Sequence, residues 1–130
     1  MAYRIVTLIS SANPAECVDE DRVRRLTEDF GVRDVKALVA GTSLDFRLPF
    51  DNESECYVEV DISPELINWY AAKFETESGS KFEPMPNVYA SWTVSRDMNL
   101  DVMHDAADAV LPGHVVTAWD DVGGFGVRWR

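Results

Sequence analysis

Cys56-Tyr57-Val58-Glu59-Val60-Asp61-Ile62-Ser63-Pro64-Glu65-Leu66-Ile67-Asn68-Trp69-Tyr70-Ala71-Ala72-Lys73-Phe74 is the stretch around which the chain organises. From Cys56 to Ile62, Cys56, Val58, Val60 and Ile62 alternate with Tyr57, Glu59 and Asp61. That period of two marks a strand with one buried face. Ser63 then suits an N-cap, Pro64 the first helical position, and Glu65 the positive end of the helix dipole. Leu66, Ile67, Tyr70, Ala71 and Phe74 follow at helical spacing, so a helix is predicted over 64–74. This strand and capped helix carry the fold and no chemistry.

Upstream, Tyr3, Ile5, Thr7 and Ile9 alternate with Arg4, Val6, Leu8 and Ser10. With apolar residues on both faces, this strand belongs inside the sheet. Asn13 followed by Glu16 has the form of a capping box, and Asp19 offers a second helix start. The helix so begun points Val23, Leu26 and Phe30 inward and stops at Gly31. Arg22, Arg24 and Arg25 form the one basic surface, a solvated face paired in part with Glu20, Glu28 and Asp29. Val35–Ala40 leads through Gly41, a bend, into Leu44, Phe46, Leu48 and Phe50. A hairpin through Asp51-Asn52-Glu53-Ser54 then joins this segment to the central strand. Keeping both apolar faces together pairs Phe50 with Cys56, Leu48 with Val58 and Phe46 with Val60. On the outer side this sets Arg47 against Glu59 and Asp45 against Asp61, the second a like-charge pair.

Downstream, two prolines exclude regular structure from 81–86. Val88, Ala90, Trp92 and Val94 mark a further strand. A third helix is predicted over 99–111 with Leu100, Met103, Ala107 and Val110 inward. A final hairpin runs from His114 through the Asp120–Gly124 turn to Phe125, Val127 and Trp129. The pattern is βαββαβ followed by αββ. It predicts a single α+β domain over 1–130 with a mostly antiparallel sheet, like a split βαβ with helices on one face and an αββ extension. Phe46, Val58, Val60, Leu66, Tyr70, Trp92 and Met103 are expected in one core.

The 130 residues are 46% hydrophobic and 11% aromatic, enough for a packed core. No apolar run reaches membrane-spanning length, and the N-terminal apolar stretch is too short and too alternating for a signal peptide. Cys17 and Cys56 are the only cysteines and have no metal or redox spacing, which fits free thiols in the cytoplasm. Charge is the informative quantity. There are 23 acidic and 12 basic side chains, a net of −11. The imbalance is uneven: residues 1–36 carry six basic and seven acidic groups, and residues 37–130 carry six and sixteen. This field disfavours nucleic acid as a direct ligand and favours a basic protein partner or simple solubility.

Candidate chemistry is sparse. His104 shares a helical face with Asp101, Asp105 and Asp108, but helical metal motifs draw further ligands from other elements, and none is in sight. His114 has no serine or cysteine partner at a recognised spacing. Gly123-Gly124-Phe125-Gly126 follows two aspartates that would repel phosphate and opens a strand, so it is a hairpin turn. Cys17 stands among Glu16, Asp19 and Glu20, which oppose thiolate formation. Neither a metal, a cofactor nor a catalytic residue is expected.

Three acidic features break local rules. Asp97, Asp101, Asp105 and Asp108 line one side of the third helix with like charges at i,i+4. Glu75 and Glu77 sit at the negative end of a helix dipole. Asp45 and Asp61 are expected face to face, beside Glu59. Local rules broken without local gain point to function. The expectation is therefore a small acidic protein that binds the basic, nucleic-acid-holding surface of a nuclease or another nucleic-acid-processing complex. A phage-encoded anti-defence protein such as an anti-CRISPR, or a toxin immunity protein, fits that description. The alternative is a small-molecule-binding or enzymatic domain with an aromatic pocket near Tyr57, Trp69, Tyr89 or Trp92.

Overall fold

The computed structural model describes residues 2–49, 55–79, 81–95, 105, 107–120 and 124–125. Strand β1 (Ala2–Ser10) is followed by three short helices, α1 (Pro14–Cys17), α2 (Glu20–Arg24) and α3 (Thr27–Phe30). Strands β2 (Arg33–Val39), β3 (Ser43–Pro49) and β4 (Glu55–Asp61) come next, then helix α4 (Pro64–Ser78) and strand β5 (Val88–Ser95). A helical stretch at 107–110 precedes β6 (His114–Asp120) and β7 (Gly124–Phe125). Among the described residues the strands form one seven-stranded sheet in the order β2-β3-β4-β5-β1-β6-β7. Every pairing is antiparallel. The molecule is α+β with an antiparallel sheet, as the element pattern predicts.

Strand β1 lies inside the sheet between β5 and β6 because it is apolar on both faces. Ile5 and Ile9 face one side with Phe46, Leu48, Val58, Val60 and Trp92, under α1, α2 and residues 107–111. Val6 and Leu8 face the other, where Ile67 and Ala71 of α4 pack with Tyr89 and Trp119. The helices therefore cover both faces of the sheet, not one. The single expected core is two: Phe46, Val58, Val60 and Trp92 belong to the first, whereas Leu66 and Tyr70 pack against the second. Met103 lies outside the described residues.

Three local expectations are corrected. The segment 35–50 is two strands, because Gly41 takes φ 73° and the Thr42 N–H reaches Val39 O at 2.9 Å, closing a hairpin. The first helix is broken into three. Asp19 caps α2 by accepting from the Arg22 N–H at 3.1 Å, while Asn13 makes no side-chain cap. At the α2–α3 junction the Thr27 hydroxyl lies 2.8 Å from Arg24 O and 2.7 Å from Val32 O, one proton between two acceptors, a local bond that competes with helix continuation. Gly31 ends α3 at φ 68°, as expected. Ser63 also makes no side-chain cap; the turn before α4 is held by the Ser63 N–H donating to Asp61 Oδ1 at 2.6 Å.

The register of the central hairpin differs from expectation by two residues. Phe46 pairs with Val58, Leu48 with Cys56 and Pro49 with Glu55, so the connection takes up 50–54. A two-residue slip keeps every side chain on its face, which is why the apolar pattern alone does not exclude it. It changes the outer pairs: Asp45 stands opposite Glu59, Arg47 opposite Tyr57, and Ser43 opposite Asp61. Among the described residues no helix is long and apolar enough to cross a membrane.

Candidate functional site

Alternation along β4 buries Cys56, Val58 and Val60 and sends Tyr57, Glu59 and Asp61 to the opposite face. Helix α4 lies on that same face, but over Val6 and Leu8 of β1, Tyr89 of β5 and Trp119 of β6. Among the described residues no helix packs on this face over β2, β3 and β4. There Asp45, Arg47, Tyr57, Glu59 and Asp61 are all half-buried by one another.

The side chains divide into a neutralised end and an acidic end. At the first, Arg47 Nη1 meets Glu55 Oε1 at 3.3 Å and its Nε lies 3.9 Å from Asp34 Oδ2. Arg33 pairs with the same Glu55. The Arg47 guanidinium also sits 5.3 Å from the centroid of the Tyr57 ring, a cation–π contact. At the acidic end the Tyr57 hydroxyl donates to Asp45 Oδ2 at 2.5 Å. Burial, then the bond to Asp45 and the charges of Asp45 and Glu59, push the Tyr57 hydroxyl well above its usual pKa. It stays a donor across the whole physiological range. Asp61 is tied to the Ser63 backbone. Glu59 makes no hydrogen bond or ion pair among the described residues. Lys36 of the edge strand, paired with Asp45 in register, is the cation next to this end.

Like charges in a cross-strand pair are destabilising by roughly 0.2–1 kcal/mol. Asp45 and Glu59 hold that arrangement at the middle of two seven-residue strands. The geometry suits cation recognition: three carboxylates on one face, one of them unengaged, beside a phenol that organises another. Comparison of the chain with known protein families, curated proteins and solved structures finds no match. The site therefore rests on its own chemistry.

The structure brings together Asp45, Glu59 and Asp61 but not the full set of acidic residues expected at a binding face. Glu75 serves the fold instead, because its Oε1 accepts the Phe82 N–H at 3.1 Å, while Phe74 stacks on Phe82 with centroids 4.6 Å apart. Its place at the wrong end of the dipole thus fastens the following loop to α4. Glu77 is exposed on the same last turn. Asp105 and Asp108 are exposed, but their helical stretch contributes Ala107 and Val110 to the first core. They lie on the opposite side of the sheet from Glu59. Asp97, Asp101 and His104 fall outside the described residues.

The other candidates resolve simply. Among the described residues no group of three His, Cys, Asp or Glu side chains is placed to hold a metal ion. His114 is exposed at the start of β6, in register with Ser10. Gly124 and Phe125 pair with Asp120 and Trp119 as strand β7, the hairpin arm expected there. Cys17 and Cys56 are buried free thiols; burial raises the pKa of both, that of Cys56 to about 12. Of the aromatic residues, Trp92 is fully buried, its Nε1 donating to Thr7 Oγ1 at 3.0 Å. Tyr89 is buried and accepts from Arg4. Trp69 is 59% exposed, with the Lys73 ammonium 5.6 Å from its centroid. Trp69 and Tyr89 both pack against the Tyr70 ring, with centroids 4.8 and 4.9 Å from it, whereas Trp92 belongs to the first core and Tyr57 stands beside Arg47.

Sequence patterning does not single out Arg47 and Tyr57 as partners of each other. The signal that locates them is hairpin register, which puts Arg47 beside Tyr57 instead of beside Glu59 and leaves Glu59 unneutralised.

Proposed function

We propose that this is a cytoplasmic binding protein that inhibits a nucleic-acid-processing partner by occupying its basic, phosphate-holding surface with carboxylates. A nuclease, or a larger complex with a lysine- and arginine-lined channel, is the class of target. Two settings fit: a phage-encoded inhibitor of a host defence complex, such as an anti-CRISPR, or an immunity protein that neutralises a toxin. The observation that carries the reading is the Asp45–Glu59 pair, with Asp61 on the same face, in a chain of net charge −11. A surface serving only solubility would intersperse lysines and avoid like charges in register. Carboxylates presented together steer a basic partner and hold it by complementarity.

The test is capture of partners from lysate on the immobilised chain, identification by mass spectrometry, and competition with nucleic acid. Binding should weaken steeply between about 50 mM and about 500 mM salt, because screening shortens as ionic strength rises. The captured protein should lose its hold on DNA or RNA as this chain is added. Capture indifferent to salt, or a partner that binds this chain and nucleic acid together, would sink the proposal.

A further inference from the structure

We infer that α4 packs against α4 of a second copy of this chain, giving a two-fold dimer whose contact is centred on Trp69. The inference goes beyond the binding function above and does not depend on it.

A helix turns about 100° per residue, so Ile67 and Ala71, buried in the second core, fix the opposite side of α4 as its outer face. Glu65, Trp69, Ala72, Lys73 and Thr76 fall on that side, and all five are exposed. Trp69 is 59% exposed, the most open large apolar side chain among the described residues. Within the chain its ring has an edge contact with Tyr70, centroids 4.8 Å apart, and the Lys73 ammonium 5.6 Å from its centroid. Those contacts leave most of a large apolar surface in water, and tryptophan is the kind of side chain that anchors interfaces when it is covered. Ala72 and Thr76 beside it are small enough to let another helix approach.

Charge selects the occupant. Glu65, Trp69 and Lys73 are four residues apart and form one ridge along α4. Ridges of this spacing run alongside one another when two helices cross at about −50°. Between antiparallel copies related by a two-fold axis at Trp69, the ridge meets its own reverse. Trp69 then lies beside Trp69 of the second copy, Glu65 beside its Lys73, and Lys73 beside its Glu65. A surface that complements itself in this way is what a two-fold interface requires. Neither Glu65 nor Lys73 makes an ion pair within the chain among the described residues. The net charge of −11 on each copy opposes association at long range. At about 0.15 M salt the screening length is only about 8 Å, so the charges at the contact decide. One helix face is a small interface, and the dimer is accordingly weak.

The experiment is analytical ultracentrifugation of the whole chain at about 0.15 M salt, over roughly 5–500 µM protein. A monomer–dimer equilibrium with Kd of roughly 10–300 µM is expected. Trp69→Ala should weaken it by at least about tenfold. Glu65→Lys alone and Lys73→Glu alone should each weaken it about three- to tenfold, because each creates two like-charge contacts per dimer. The double variant Glu65→Lys/Lys73→Glu should recover the original affinity to within about twofold. An equal mixture of the two single variants should form a heterodimer tighter than either variant forms alone. Circular dichroism checks that α4 is intact in each, and the charge series decides the matter if Trp69→Ala is unfolded. A chain that stays monomeric throughout the concentration range, dimerisation unaffected by Trp69→Ala, or a double variant as weak as the single ones would overturn the inference.

Discussion

Asp45 and Glu59 face each other directly across strands β3 and β4, two carboxylates in a single cross-strand pair. The chain contains cations that would have relieved it. Arg47 is the next outward-facing residue along β3, but it is engaged by Glu55, by Asp34 and by the Tyr57 ring. Lys36 of β2 stands in register with Asp45, whereas Glu59 makes no ion pair among the described residues; the proposed basic partner would supply the charge that Glu59 lacks.

Neutralising one member should stabilise the free protein. Glu59→Gln is expected to raise the unfolding free energy by about 0.2–1 kcal/mol while lowering partner affinity. Urea denaturation measures the first and titration the second; a destabilised variant would mean that Glu59 has a local partner after all.

The two sides of the sheet should behave differently in binding. Asp105→Asn/Asp108→Asn should leave partner affinity within about twofold, because these residues sit on the layer opposite Glu59. A loss as large as that of Asp45→Asn/Glu59→Gln would relocate the binding face to the helix at 107–110.

Val60 is 1% exposed and paired with Leu44 on one side and Ala90 on the other. Val60→Asp would place an unpaired charge in the first core at a cost of several kcal/mol, a large share of a domain's stability. The variant should be insoluble or lack a cooperative thermal transition. A soluble variant with an unchanged melting temperature would contradict the packing.

Thr7 provides a second buried test. Its hydroxyl donates to Ala90 O at 2.9 Å and accepts from Trp92 Nε1 at 3.0 Å. Thr7→Val keeps the shape but removes the acceptor of the indole N–H and the donor to Ala90 O, so it should cost about 1–3 kcal/mol. Indole fluorescence and denaturation together report it, and a change under a few tenths of a kcal/mol would show that the N–H finds another acceptor.

Alkali should unfold the protein early. Burial holds the Cys56 thiol at about 12 against an ordinary 9.0. Burial, then the bond with Tyr70, holds the Tyr89 hydroxyl at about 12 against 10.0. Both groups are neutral when protonated and have raised pKa values in the fold. Their contribution is thus complete below pH 9.0 and is lost as pH rises toward about 12, because the unfolded chain releases these protons first. Melting temperature should fall across that window, and the part of the slope above pH 10.0 should shrink in Tyr89→Phe. A flat profile would show that neither group is protected from ionisation.

Much of the fold is legible in the sequence because strand alternation is a local property. The segments at 3–10, 56–62 and 88–95, and the helix after Ser63, stand where their periodicity puts them. Pairing is less accessible. The apolar faces of β3 and β4 are satisfied equally by registers two residues apart, and only the length of the 50–54 connection separates them. Gly41 signals a change of direction without saying whether the chain bends or reverses. The division of the core in two is implicit in Val6 and Leu8 alternating with Ile5 and Ile9. At the site, charge patterning points to Asp45, Glu59 and Asp61, while the role of Glu75 depends on the position of Phe82 in space.

The place of β1 in the sheet also dictates when the protein can exist. Strands β2, β3 and β4 join neighbours in the chain and can pair as they emerge. The first strand cannot: it pairs with β5 and β6, so Thr7 meets Ala90 and later Ala118. Closing such distant contacts is slow, and a strand apolar on both sides stays exposed until residues 88–120 have been made. The same residues that seal the finished sheet are thus those most dependent, during synthesis, on the rate at which the ribosome delivers residues 88–120.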